Sequence, residues 1–173
     1  MGLAKLSITA HFIETRAALT WREIAHGIDN ELLSVESAVA FAAARVGAEK
    51  APDSLLVDLA RLRSGEPARD LVDELAANEP EQDSDYIRMK WLYLVLSWVF
   101  EHQGAFADPL AIVEEVYAEF DYPEEAAHFV PYMPMRGPDL GSKAANRGRL
   151  FESWKQYLDE ARLSHGSLQR SEP

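Results

Sequence analysis

Between Trp91 and Phe100 the chain is apolar but for Ser97. Across the enclosing stretch Tyr86–Gln103, Trp91, Leu92, Leu94, Val95, Leu96, Trp98, Val99 and Phe100 fall on every side of a 3.6-residue repeat. A helix of this kind has no face it can leave to water, so other elements must wrap it. Its apolar run is too short to cross a bilayer, which takes about 20 apolar residues. The rest of the chain has to supply the walls, and its periodicity says that the walls are helical.

Thr20-Trp21-Arg22-Glu23 reads as a capping box, in which the Thr20 hydroxyl and the Glu23 carboxylate each serve the other's backbone amide. That helix runs to about Ile28. Ser34 caps a second one, Val35–Val46, with Val35, Val39, Ala42 and Val46 on one face and Gly47 as its stop. The alanines between Ala38 and Ala44 predict close helix packing. Pro52 suits a first turn, and Leu55, Leu56, Leu59 and Leu62 form the next stripe, ended by Gly65. Pro67 opens a short helix with Leu71, Val72 and Leu75 that stops at Asn78. Glu79–Asp85 follows as an acidic linker.

Asp108-Pro109 is an N-cap followed by a first-position proline, ahead of Leu110, Val113, Val116, Tyr117 and Phe120 at helical spacing. Pro123 begins a short helix. Prolines 131, 134 and 138 with Gly137 then forbid regular structure to about Ser142. A last helix spans about Ala144–Leu163, and a short first one is expected around Leu3, Leu6, Ile8 and Phe12. The fold class is therefore all-α: a compact multi-helix array of about eight short helices around the central apolar helix 86–103. Residues 1–163 are expected to form a single domain, and 164–173 a disordered tail.

Charge narrows the function. Residues 51–135 hold 18 Asp and Glu against 5 Lys and Arg, while the segments on either side are nearly balanced, within a formal net charge of −12. An acidic field repels nucleic acid and attracts basic partners. The chain has no cysteine, which removes disulfides, thiol nucleophiles and Cys-ligated metals. It also has no phosphate-binding glycine loop, zinc-protease helix, EF-hand or nucleophile elbow. Met1–Ala10 mixes apolar with polar residues and is expected not to be a signal peptide. A cytoplasmic, non-enzymatic protein without cofactor or membrane attachment is the expectation.

The candidate partner-binding residues are Glu114, Glu115, Glu119, Asp121, Glu124 and Glu125, interleaved with Tyr117, Phe120 and Tyr122. Carboxylates with aromatic neighbours suit capture of a basic surface, charge serving encounter and rings serving residence. Tyr132 and Met133, on the proline-rich loop, extend this set. Glu124 and His128 fall i,i+4 and could join Glu101-His102 and a further carboxylate around a metal, but read better as a solvated helix face. The basic set Lys143, Arg147, Arg149 and Lys155 is expected to pair with the acidic middle of the chain.

Three segments carry a resemblance. They are Thr20–Gly27 with Leu33-Ser34; Lys90-Trp91-Leu92-Tyr93 with Asp108-Pro109-Leu110; and Phe120-Asp121-Tyr122-Pro123-Glu124-Glu125 through Phe129 to Tyr132-Met133-Pro134, with a closing Leu158. Over roughly residues 15–160 the chain resembles the bacterial DUF2247 family, a domain of unknown function. The resemblance implies a small cytoplasmic bacterial protein of a sort often found beside polymorphic secreted toxins as an immunity protein. It carries over no catalytic residue. The expected function is binding and neutralising a cognate protein toxin with a basic surface. The alternatives are a metal-dependent hydrolase or small-molecule-binding helical protein, and an adaptor acting by self-association.

Overall fold

A computed structural model describes residues 2–166, and every regular element among them is helical. The described chain divides into two compact units, Gly2–Ile87 and Arg88–Gly166.

The first unit starts with a 3-10 turn, Leu3–Leu6, and α1, Ala10–Glu14. The single helix expected there is split, because Ser7 takes a left-handed backbone (φ 51°) and Thr9 caps a new start. α2 (Trp21–Asp29) opens on the predicted capping box. α3 (Val35–Ala48) is capped by Ser34 as predicted, but runs straight through Gly47. Of the expected face Ala42 is buried, beside Ala38 and Phe41, while Val35, Val39 and Val46 are half-buried. α4 (Ser54–Arg61) packs against α3. α5 (Arg69–Ala77) packs on α2 and α4. Ala68, not Pro67, precedes it, while Gly65 sits in the loop at φ 87°.

α6 (Ser84–Glu101) begins and ends two residues earlier than expected. Asp83 sets the start: its carboxylate accepts from the Asp85 amide, and its carbonyl from Ile87. Every residue from Lys90 to Ser97 is buried, which covers all sides of the helix as its composition demands. Gly104 falls in a separate 3-10 turn, Gln103–Ala105.

In the second unit α7 (Pro109–Glu119) has the predicted Asp108 cap and first-position proline. A 3-10 turn, Glu124–Phe129, packs against the long α8 (Lys143–His165). Trp154 and Phe129 are fully buried at that contact, their rings stacked 6.3 Å apart. α8 passes the position where the tail was expected to start. The remainder of that tail, residues 167–173, lies outside the described residues.

Candidate functional site

α7 sorts the carboxylates of the acidic segment by helical register. Leu110, Val113, Val116 and Tyr117 are buried. Glu114 flanks Tyr117 on the edge of that stripe. Glu115 and Glu119, one turn apart, share the opposite face. The helix then ends without a glycine. The Tyr122 amide bonds the Tyr117 carbonyl at 2.9 Å, and the Asp121 amide bonds that of Ala118 at 3.1 Å. This 6→1 and 5→2 pair is a Schellman termination, with Asp121 at the position that favours glycine. Both Asp121 (φ 60°) and Tyr122 (φ 56°) are left-handed. Two consecutive side-chain-bearing residues in that region hold strain.

The strained turn aims Tyr122 back along the helix. Its ring meets Tyr117 edge-on at 5.4 Å, the apolar contact that accompanies such terminations. Tyr132, from the proline-rich loop, meets the same Tyr117 ring at 6.1 Å. A buried tyrosine is thus flanked by two that are 59% and 55% exposed. Partial burial, then Tyr117, Tyr122 and Glu114, hold the Tyr132 phenol above its ordinary range, so it stays a neutral hydrogen-bonding group.

The nine residues singled out from the sequence therefore do not form one array. Glu114, Tyr122 and Tyr132 converge around Tyr117, with Asp121 in the same turn. Glu115 and Glu119 look outward from α7. Glu124 and Glu125 are exposed on the 3-10 turn, and Glu125 acts on the buried Tyr157, whose phenol burial pushes up. Met133 belongs elsewhere: half-buried, it lines a cavity of ≈ 580 Å³ between the loop and α8. Tyr117 stands in the sequence among the aromatics interleaved with the carboxylates; the structure buries it and makes it the ring against which Tyr122 and Tyr132 are held.

Replacing Asp121 with glycine is expected to raise the unfolding free energy by about 1 kcal/mol, because glycine adopts this backbone without strain. Urea denaturation of Asp121→Gly measures it, and destabilisation would contradict the strain argument.

The Glu/His grouping takes structural duties instead. Residues 124–129 form a 3-10 turn, so Glu124 and His128 do not share a face as they would on an α-helix. His128 packs edge-on against Phe129 at 5.1 Å. His102 stacks on Trp98 at 3.8 Å and bonds the Trp98 carbonyl through Nδ1. Among the described residues no three His, Asp or Glu side chains converge as a metal site would need. Of the basic set, Arg147 pairs with Asp108 at 2.7 Å as expected. Lys155 pairs within its own helix, with Asp159.

Two histidines make stability depend on pH. Burial, and then Arg136, depress His128; burial depresses His26 against the pull of Asp29. Both start from 6.5, so the unfolded chain binds protons more readily than the folded one below that value. The contribution of these two groups is full above pH 6.5 and is lost as pH drops toward their folded-state values. Thermal midpoints should therefore decline between about pH 7 and pH 5, with a shallower decline in the double variant His26→Gln, His128→Gln. An unchanged slope would assign the decline to other groups.

Fold and surface together define an all-helical protein whose second unit carries a tyrosine-and-carboxylate face. Residues 10–162 match the family model described as an uncharacterized protein conserved in bacteria, DUF2247, and the chain belongs to that family. No match was found among curated proteins or solved structures. No helix among the described residues is long and apolar enough to cross a membrane.

Proposed function

We propose that this protein is a non-enzymatic binding protein, an immunity or inhibitor protein that captures a cognate bacterial toxin on the Tyr117-centred face. The observation that carries the reading is the pair Tyr122 and Tyr132, more than half exposed yet fixed against a buried third ring, with Glu114 and Asp121 beside them. Exposed aromatics held rigid lose little conformational entropy on binding and are favoured as energetic anchors. The surrounding carboxylates would stand where a toxin's cationic cleft expects substrate phosphates, speeding encounter and disfavouring acidic partners.

The test is co-expression with the C-terminal domain of a large secreted protein encoded immediately upstream, scoring host growth and pull-down. Rescue with a stable complex is the expected result. Within that complex Tyr122→Ala or Tyr132→Ala should raise Kd by about 30-fold, a loss near 2 kcal/mol. Combined reversal of Glu114 and Asp121 to lysine should slow association and flatten its salt dependence. Full affinity in all these variants would remove this face from the interface; no rescue and no complex would remove the function.

A further inference from the structure

A cavity in the second unit has a charge opposite to the chain's own. It lies between the loop from Pro131 to Arg136 and the first turns of α8, has a volume of ≈ 580 Å³, and is lined by Arg136, Lys143, Arg147 and Arg149. No carboxylate residue is among its described lining residues. In a protein of formal charge −12 this cluster is not general surface character. The apolar part of the lining comes from Leu110, Met133, Pro134 and Leu150.

The four cations are not equivalent. Arg147 is paired with Asp108 at 2.7 Å and lies over the Phe151 ring at 5.6 Å. Arg149 donates to the Arg136 carbonyl at 3.1 Å and to the Pro138 carbonyl, so it holds the loop against α8. Asn146 fixes the next part of the loop, bonding Asp139 at 2.7 Å and accepting from the Leu140 amide at 3.0 Å. Gly137 makes this approach possible: at φ 100° it adopts a backbone open to glycine, and a Cβ there would lie 3.3 Å from the Arg149 guanidinium. Arg136 and Lys143 are exposed and line the cavity without an ion-pair partner among the described residues. The cavity thus has a braced wall, an apolar lining and two uncommitted cations, close to the positive end of the α8 dipole.

We infer that this cavity binds a small amphipathic anion, with an aromatic or aliphatic body against Met133, Pro134 and Leu150 and a phosphate or carboxylate between Arg136 and Lys143. Its volume falls in the range of small-molecule sites, about 300–1,000 Å³, and an apolar lining with a few charged groups is their usual composition. Neutral His128, on the same wall, adds a polar contact without a competing charge. This site is separate from the Tyr117 face and does not depend on the toxin-binding reading.

The test is isothermal titration of the full chain with 1-naphthyl phosphate, 1-naphthoate and neutral 1-naphthol. Saturable one-site binding of either anion, at least about tenfold tighter than naphthol, is expected. The pair Arg136→Gln, Lys143→Gln should weaken the anion by at least about tenfold while leaving the circular dichroism unchanged. Leu150→Glu, which places a carboxylate in the lining, should weaken it likewise. Naphthol binding as tightly as the anions, affinity unchanged in both variants, or no saturation by about 1 mM anion would each overturn the inference.

Discussion

Trp154→Ala is expected to lower the unfolding free energy by about 3–5 kcal/mol, as large aromatic truncations in closed cores do. The Trp154 side chain is fully buried. Phe100 meets it edge-on at 5.0 Å, Phe151 is tilted against it at 5.9 Å, and Phe129 stacks on it at 6.3 Å. Three elements share that ring: α6, α8 and the 3-10 turn at 124–129. None can refill the space alone, so the cavity term adds to the transfer term. Among the described residues the indole Nε1 meets no hydrogen-bond acceptor, an unusual state for a buried donor and a costly one. Trp154→Phe removes that donor along with some volume, so it should cost less than about 1.5 kcal/mol. Urea denaturation followed by far-ultraviolet dichroism separates the two variants. A loss under about 1 kcal/mol for the alanine form would mean that the site collapses around the truncation.

The second large effect concerns the first unit. Glu79→Ala should cost about 2 kcal/mol, near the upper end for a helix N-cap. The Glu79 carboxylate accepts from the Trp21 and Arg22 amides, each at 3.0 Å, and its carbonyl accepts from the Arg22 guanidinium at 3.0 and 3.2 Å. The Thr20 hydroxyl takes the Glu23 amide at 3.2 Å and donates to Gln82 at 2.6 Å. Glu23 is fully buried; it accepts from the Thr20 amide at 2.8 Å and from Gln82 at 3.3 Å. Every amide of the first α2 turn thus has an acceptor, and the two amides served from Glu79 meet a full negative charge at the positive end of the helix. Glu79→Gln keeps the shape without the charge and should cost about half as much. Equal stability of Glu79→Ala and the parent would show that water replaces the carboxylate.

These two positions show what could be read along the chain. Helix starts were legible wherever the cap is local: Thr20 with Glu23, Ser34, and Asp108 with Pro109 each act within three residues. The all-round burial of α6 was legible too, because composition alone fixes it. Stops were less so. Gly47 and Gly104 suggested ends that the helices do not use, while α2 and α7 stop about where expected, near Ile28 and at Asp121-Tyr122, through Glu31 (φ 55°) and Asp121, non-glycine residues in the left-handed region. Glu79 looked like part of a solvated acidic linker, because nothing near it in sequence reveals an acceptor duty some 57 residues away. The candidate face was half legible: Tyr122, Tyr132 and Glu114 converge, whereas Glu115, Glu119, Glu124, Glu125 and Met133 point to other surroundings. Adjacency in sequence groups such residues, but helix register and a strained turn divide them. The cationic cavity escaped because Lys143, Arg147 and Arg149 were weighed as ion-pair partners, which among the described residues only Arg147 is, and because nothing near Arg136 in sequence ties it to them.

The composite cap on α2 also orders events in time. A ribosome makes Thr20–Asp29 long before it reaches Glu79 and Gln82. Until that segment emerges, the first turn of α2 lacks two of its acceptors, and Glu23 lacks the amide of Gln82. Synthesis therefore leaves the N-terminal unit incomplete through most of its own length. Residues 79–82, shortly ahead of α6, act as the latch that closes it, placed where the next unit is about to begin.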